Sequence, residues 1–220
     1  MTRARKRVVA FISGGGSNML ALAKAAEAPD FPAEIVAVFS DKAEAGGLAK
    51  AEALGIQTRT FLRRDFAGKE AHEAAILEAL DALSPDIVCL AGYMRLLSGA
   101  FIQRYEGRIL NIHPSLLPLF PGLHTHQRAL DAGMRIAGCT VHFVTEGMDE
   151  GPAIVQAAVP VLPADTADTL AARVLTVEHR SYPLALRLVA EGRVRMEGGR
   201  AVAADDLPRV DGACLISPAA

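Results

Sequence analysis

At 220 residues the chain can bury one large α/β domain, with two small domains as the alternative, and its 51% hydrophobic content supplies a substantial core. A formal net charge of -2 leaves no basic excess of the kind that nucleic acid or an anionic membrane surface asks for, so both are excluded as general partners. Cys89, Cys139 and Cys214 stand far apart and two of them lie in apolar runs, which reads as reduced, buried thiols and not as a disulfide framework or zinc knuckle.

The basic head of "MTRARKRVVAFISGGG" resembles the start of a signal peptide. Its apolar run ends too soon at the glycines to continue as one, and no stretch is long enough to span a membrane. A cytoplasmic location is expected.

Strand-like and helix-like segments then alternate. Residues 7–12 are β-branched and apolar, 18–28 alanine-rich and helical, 34–40 a second strand, 47–54 a second helix, and "QTRTF" at 57–61 a third strand. Over 69–83 the residues Glu73, Ile76, Leu77, Leu80 and Leu83 recur at helical spacing, and Ser84-Pro85 ends that helix. "DIVCLAG" (86–92) is a continuous apolar run of the type buried on both faces, followed by a short helix over 98–105 and a strand over 109–112. "GCTVHFV" (138–144) and "AIVQAAVPV" (153–161) are strands around "TEGMDEGP", either a hairpin excursion or an added part of the sheet. A long helix over 166–191, with Pro183 as a place to bend, and a terminal hairpin around Gly198-Gly199 complete the pattern. Residues 1–203 read as a single domain and 204–220 as an irregular tail. The alternation predicts βαβ units, a mostly parallel Rossmann-like sheet flanked by helices, and an antiparallel C-terminal extension.

Ligands in such sheets gather beyond the carboxyl ends of the strands, where three unusual loops fall: "SGGGSN", "AGYMRLLS" and "NIHPSLLP". In the first, glycines free backbone N–H groups at a helix entrance, a natural anion site. Met19 stands where a dinucleotide fingerprint needs its third glycine, and no Lys-Ser or Lys-Thr follows, so a nucleoside-triphosphate loop is excluded. Ser17 and Asn18 suit a single phosphate; they could equally do no more than cap the helix.

In the third loop Asn111 and His113, two positions apart on an extended chain, project to the same side, and Pro114 restrains the exit. An amide and an imidazolium can both donate to an oxygen that gains negative charge. No cysteine lies nearby and no serine sits in a nucleophile elbow, so such a centre works without a covalent nucleophile. A charged imidazole asks for a carboxylate, and "TEGMDEGP" offers Glu146, Asp149 and Glu150, among which spacing does not choose. His124 and His126 form a His-x-His pair without a third ligand at suitable spacing; loop hydrogen bonds or substrate contacts fit them better than a metal, and no metal is expected.

"SGGGSN", "LAGYMRLLS", "LNIHPSLLPLFPGLHTH" and "VHFVTEGMDEGP" occur in the order found in phosphoribosylglycinamide formyltransferases, and the chain resembles that family over residues 7–196. The resemblance implies a formyltransferase-type fold over 1–203. It also implies transfer of a formyl group from the co-substrate 10-formyltetrahydrofolate to the amine of glycinamide ribonucleotide, in purine biosynthesis. By motif, it implies Asn111, His113 and Asp149 as the catalytic trio, which selects Asp149 where spacing did not. Gly16, Ser17, Asn18 and Glu178 are implied for the ribonucleotide. Lys69, Met94, Arg95, Leu96, Leu97, Asn111, Thr145 and Asp149 are implied for the folate. Two positions depart from the family pattern: Lys69 stands where an arginine is common, keeping charge without bidentate reach, and Leu175 where a glutamine is common, removing a polar contact. Three rival readings are a tRNA formyltransferase, which needs a further domain and a basic surface, a deformylase using water, and a non-catalytic nucleotide-binding module.

Overall fold

The computed structural model describes residues 4–207 and Ser217; Cys214 and most of the expected tail lie outside the described residues. The elements run β1 (Lys6–Ile12), α1 (Ser17–Ala26), β2 (Ala33–Ser40), α2 (Gly46–Ala53), β3 (Gln57–Thr60), α3 (Lys69–Leu83), β4 (Ile87–Leu90), α4 (Gly99–Arg104), β5 (Ile109–His113), α5 (Thr125–Asp131), β6 (Ile136–Phe143), β7 (Ala153–Pro160), α6 (Ala167–Ala190), β8 (Val194–Glu197) and β9 (Arg200–Ala203).

A seven-stranded sheet has the order β3-β2-β1-β4-β5-β6-β7. The pairs from β3 through β5 are parallel, while β5–β6 and β6–β7 are antiparallel. The "TEGMDEGP" segment therefore connects two strands of the main sheet, and β8–β9 form a separate antiparallel ribbon.

The apolar runs of β1 and β4 are buried on both faces because helices cover both. Val8, Ala10 and Ile12 join Met19, Leu22, Tyr182 and Leu186 from α1 and α6. Val9 and Phe11, one residue out of phase, join Ile76 and Leu80 of α3 and Phe101 of α4. The chain winds outward from β1 to β3, then returns to lay β4 on the other side of β1. This reversal, between β1 and β4, is the topological switch point of the sheet.

Helix α6 begins with a reciprocal Thr166–Thr169 capping box and runs through Pro183 without interruption, where the sequence suggests a bend. It is pinned to the sheet by Tyr182, whose fully buried hydroxyl lies 3.0 Å from both Leu90 O, at the end of β4, and Leu110 O, near the start of β5. Burial raises the phenol's pKa well above its usual value, so it remains a donor. Tyr182→Phe would remove the single O–H that the Leu90 and Leu110 carbonyls share. It is expected to lower the unfolding free energy by about 1–3 kcal/mol, read as a lower urea midpoint with an unchanged slope.

Two elements escape the sequence reading: α5 and a 3-10 turn at Arg63–Asp65. In α5 only Thr125 and Ala129 are buried, too few positions for a helical period to register. Among the described residues no helix is long and apolar enough to cross a membrane.

Candidate active site

Beyond the carboxyl ends of β1, β4 and β5 lies a cavity of about 570 Å³. Asn111 and His113 both reach it from the end of β5, as their two-residue spacing requires. Antiparallel pairing sets His142 of β6 opposite Asn111, so the two side chains share one face. Their contact is 3.1 Å, from the Asn111 amide nitrogen to His142 Nε2.

His142 Nδ1 faces the Phe143 carbonyl at 2.8 Å. A carbonyl only accepts, so Nδ1 carries the proton and Nε2 is left to accept from Asn111. Burial, the largest cause, lowers the His142 pKa and favours this neutral form. A neutral His142 therefore orients the Asn111 amide with its NH₂ toward the ring and its second N–H free.

His113 has a different environment. Its Nδ1 is 3.3 Å from Asp149 Oδ2 and its Nε2 is 2.9 Å from Phe120 O. Both neighbours only accept, which matches the two N–H groups of an imidazolium. Asp149 Oδ2 also accepts from Gly122 N at 2.8 Å, which ties the β6–β7 connection to the loop after β5. Asp149 itself sits at φ 59, a left-handed conformation that aims its carboxylate back at the histidine. Of the three acids in that loop, Asp149 is the one in contact with His113.

Across the cavity, Asn18 donates to Glu178 Oε2 at 2.7 Å, while its Oδ1 is buried and has no hydrogen-bond partner among the described residues. Burial raises the Glu178 pKa against the opposing hydrogen bond from Asn18. Gly16, at φ 67, is the N-cap of α1 and no side chain caps that helix. The simple capping role for Ser17 or Asn18 is thus overturned: both are helical residues, and the Asn18 amide is directed to Glu178. Gly16 needs its missing Cβ, which would lie 2.7 Å from the Gly47 Cα. That packing leaves Gly14 and Gly15 exposed at the loop tip.

Met94, Arg95, Leu96 and Leu97 line one wall, Leu123 and Met148 belong to another, and Thr145 and Asp149 lie beside them. Met94, Leu96 and Leu123 are 62%, 65% and 62% exposed, an unusual concentration of open apolar surface around one cleft. Gly16 and Ser17 precede the lining residue Asn18 but are not in the lining themselves. Lys69 is not in it either: its ammonium faces Glu73 at 3.8 Å, and Glu73 in turn accepts from Ser98 N at the start of α4. His124 and His126 line the cavity, and His126 Nε2 is buried without a hydrogen-bond partner among the described residues. Among the described residues no group of three His, Cys, Asp or Glu side chains could hold a metal ion. His142, set inside a strand, gives no sign of its role in sequence, because the register of β6 against β5 is what places it beside Asn111.

The family model described as "Formyl transferase" matches residues 6–186. The phosphoribosylglycinamide formyltransferase of Escherichia coli (strain K12) is 48% identical over 189 residues, 86% of this chain and 89% of that protein. The trifunctional purine biosynthetic protein adenosine-3 of Bos taurus is 50% identical over 197 residues, 89% of this chain; the chain spans only 20% of that protein's length. The crystal structure of phosphoribosylglycinamide formyltransferase from Brucella melitensis shares 79% identity at a TM-score of 0.82, covering 84% of this chain and 96% of that one.

Proposed function

The chain belongs to the formyl transferase family, among its phosphoribosylglycinamide formyltransferases, and from that premise we propose that it moves a formyl group from 10-formyltetrahydrofolate to the amine of glycinamide ribonucleotide. The observation that carries this reading is the convergence of Asn111, His113 and Asp149 on one cavity, with His113 in contact with Asp149 and Asn111 oriented by His142.

The residues suit both substrates. An amide oxygen buried without a partner among the described residues, Asn18 Oδ1, calls for a donor such as a substrate amine or hydroxyl, and Glu178 beside it is a second acceptor. The exposed glycine loop at the entrance of α1 suits the ribonucleotide phosphate. The apolar wall of Met94, Leu96 and Leu97 suits a flat aromatic ring such as the folate pterin.

When the amine adds to the formyl carbon, the formyl oxygen gains negative charge. The free N–H of Asn111 and the imidazolium of His113 donate to it. An oxyanion is a stronger acceptor than a carbonyl, so the Nε2 proton now facing Phe120 O gains a better partner as charge develops. One preorganised donor of this kind is worth about 3 kcal/mol of barrier. Asp149, 3.3 Å from His113 Nδ1, receives, directly or through a water, the proton that the amine must lose; as the oxyanion collapses, the bond from the formyl carbon to N10 breaks and N10 of the departing tetrahydrofolate takes that proton. Holding two substrates in one cavity adds the advantage of proximity, and no protein nucleophile is needed.

The test is an absorbance assay of the formyl donor with and without glycinamide ribonucleotide. Consumption is expected only when the ribonucleotide is present. Consumption without it would replace this reading with hydrolysis by water, and no consumption in either case would leave a binding module.

A further inference from the structure

Ser13, the first residue of the glycine loop, does not line the cavity, yet it is 5% exposed and its hydroxyl is hydrogen-bonded on two sides. Its hydroxyl lies 2.6 Å from Asp41 Oδ1. A carboxylate only accepts, so Ser13 donates to it, and the hydroxyl lone pairs are turned toward the Met94 N–H, 2.9 Å away. The Ser13 backbone N–H donates to Gly92 O at 3.1 Å, and Gly92 at φ 79 makes the turn that brings Met94 back to Ser13. The other oxygen of Asp41 accepts from Arg95 Nε at 2.8 Å. The Asp41 side chain is 2% exposed, while that of Arg95 is 42% exposed, so the carboxylate end of the pair is buried and the guanidinium end meets solvent.

One buried carboxylate at the end of β2 thus holds, through two routes, a backbone segment that follows β4. That segment carries the apolar wall of the cavity. We propose that Asp41 is a positioning residue for the formyl donor: through Ser13 and Arg95 it fixes the 92–95 turn and so sets the wall against which the folate ring lies. This rests on the assignment of that wall to the folate. Asp41 touches neither substrate. Its contribution is to restrict the turn to one conformation, so its loss weakens binding of the donor and leaves the reacting atoms undisturbed once the donor is bound.

Asp41→Asn isolates the effect. An asparagine that accepts from Ser13 presents its NH₂ to Arg95 Nε, donor against donor. Flipped, it accepts from Arg95 and donates to Ser13, whose second lone pair still accepts from Met94 N–H. The first orientation breaks the Arg95 contact, and the second keeps it without the carboxylate charge, so the Arg95 route is weakened either way. The KM for 10-formyltetrahydrofolate is expected to rise about tenfold, the scale of one lost hydrogen bond to a charged group. The KM for glycinamide ribonucleotide, and kcat at saturating donor, should stay within about twofold. Ser13→Ala, which removes the acceptor of Met94 N–H without touching a charge, should raise the same KM by about threefold. It decides the matter if Asp41→Asn does not fold. An unchanged donor KM in the folded variant overturns the proposal, as does a parallel loss in all three parameters, which would mark a structural role only. Calorimetric titration with tetrahydrofolate separates this inference from its premise. Wild type that binds no tetrahydrofolate removes the folate assignment itself. Wild type that binds it no better than Asp41→Asn removes only the role of Asp41.

Discussion

Asp149→Asn is expected to lower kcat by about a thousandfold while both KM values stay within a few-fold of wild type. The change is nearly isosteric, and an asparagine oxygen can still accept from Gly122 N–H, so the loop after β5 keeps its anchor. The negative charge that faces the imidazole 3.3 Å from His113 Nδ1 is lost, and with it the group proposed to take up the amine's proton. Two contributions to the rate therefore fall together, which places the effect well above that of a single hydrogen bond. Steady-state rates from about pH 6 to 9, alongside a thermal melt, make the test. A folded variant that retains more than a tenth of wild-type kcat across that range would exclude Asp149 as the acid–base partner.

The parts of this molecule legible in its sequence are those set by local periodicity and by short motifs. The 69–83 helix is found with the bounds its Ile76–Leu80 spacing implies, because a long amphipathic period and the Ser84-Pro85 stop act together. The Asn-x-His pair is legible because two residues on one extended strand must share a side. What the sequence hides is pairing between distant segments. His142 comes to Asn111 through the β5–β6 register, across 31 positions. Asp41 comes to Arg95 through the parallel order β2-β1-β4, across 54 positions. Neither has a local signature: a histidine inside a strand and an aspartate just after one read as ordinary. The choice of Asp149 over Glu146 and Glu150 belongs with these. It depends on a left-handed residue in a tight connection, and spacing alone carries no trace of it. The resemblance assigns Lys69 to the folate; in the fold its ammonium faces the buried Glu73 that supports the start of α4, a pairing the sequence reading did not give.

Replacing the two donors one at a time and together tests whether they serve one oxygen. Asn111→Ala and His113→Ala are each expected to reduce the single-turnover rate of formyl transfer by about a hundred- to a thousandfold, the cost of losing one donor to a developing oxyanion. His113→Ala should be the more severe, because it also leaves Asp149 without its cationic neighbour. The double variant should lose much less than the product of the two single effects. Once either donor is gone the oxyanion admits water, and the remaining donor no longer acts in the same desolvated setting. Losses that multiply in full would mean that Asn111 and His113 act on different atoms or in different steps. In that case the orientation of the Asn111 amide by His142, at 3.1 Å, would have to serve substrate binding and not the transition state.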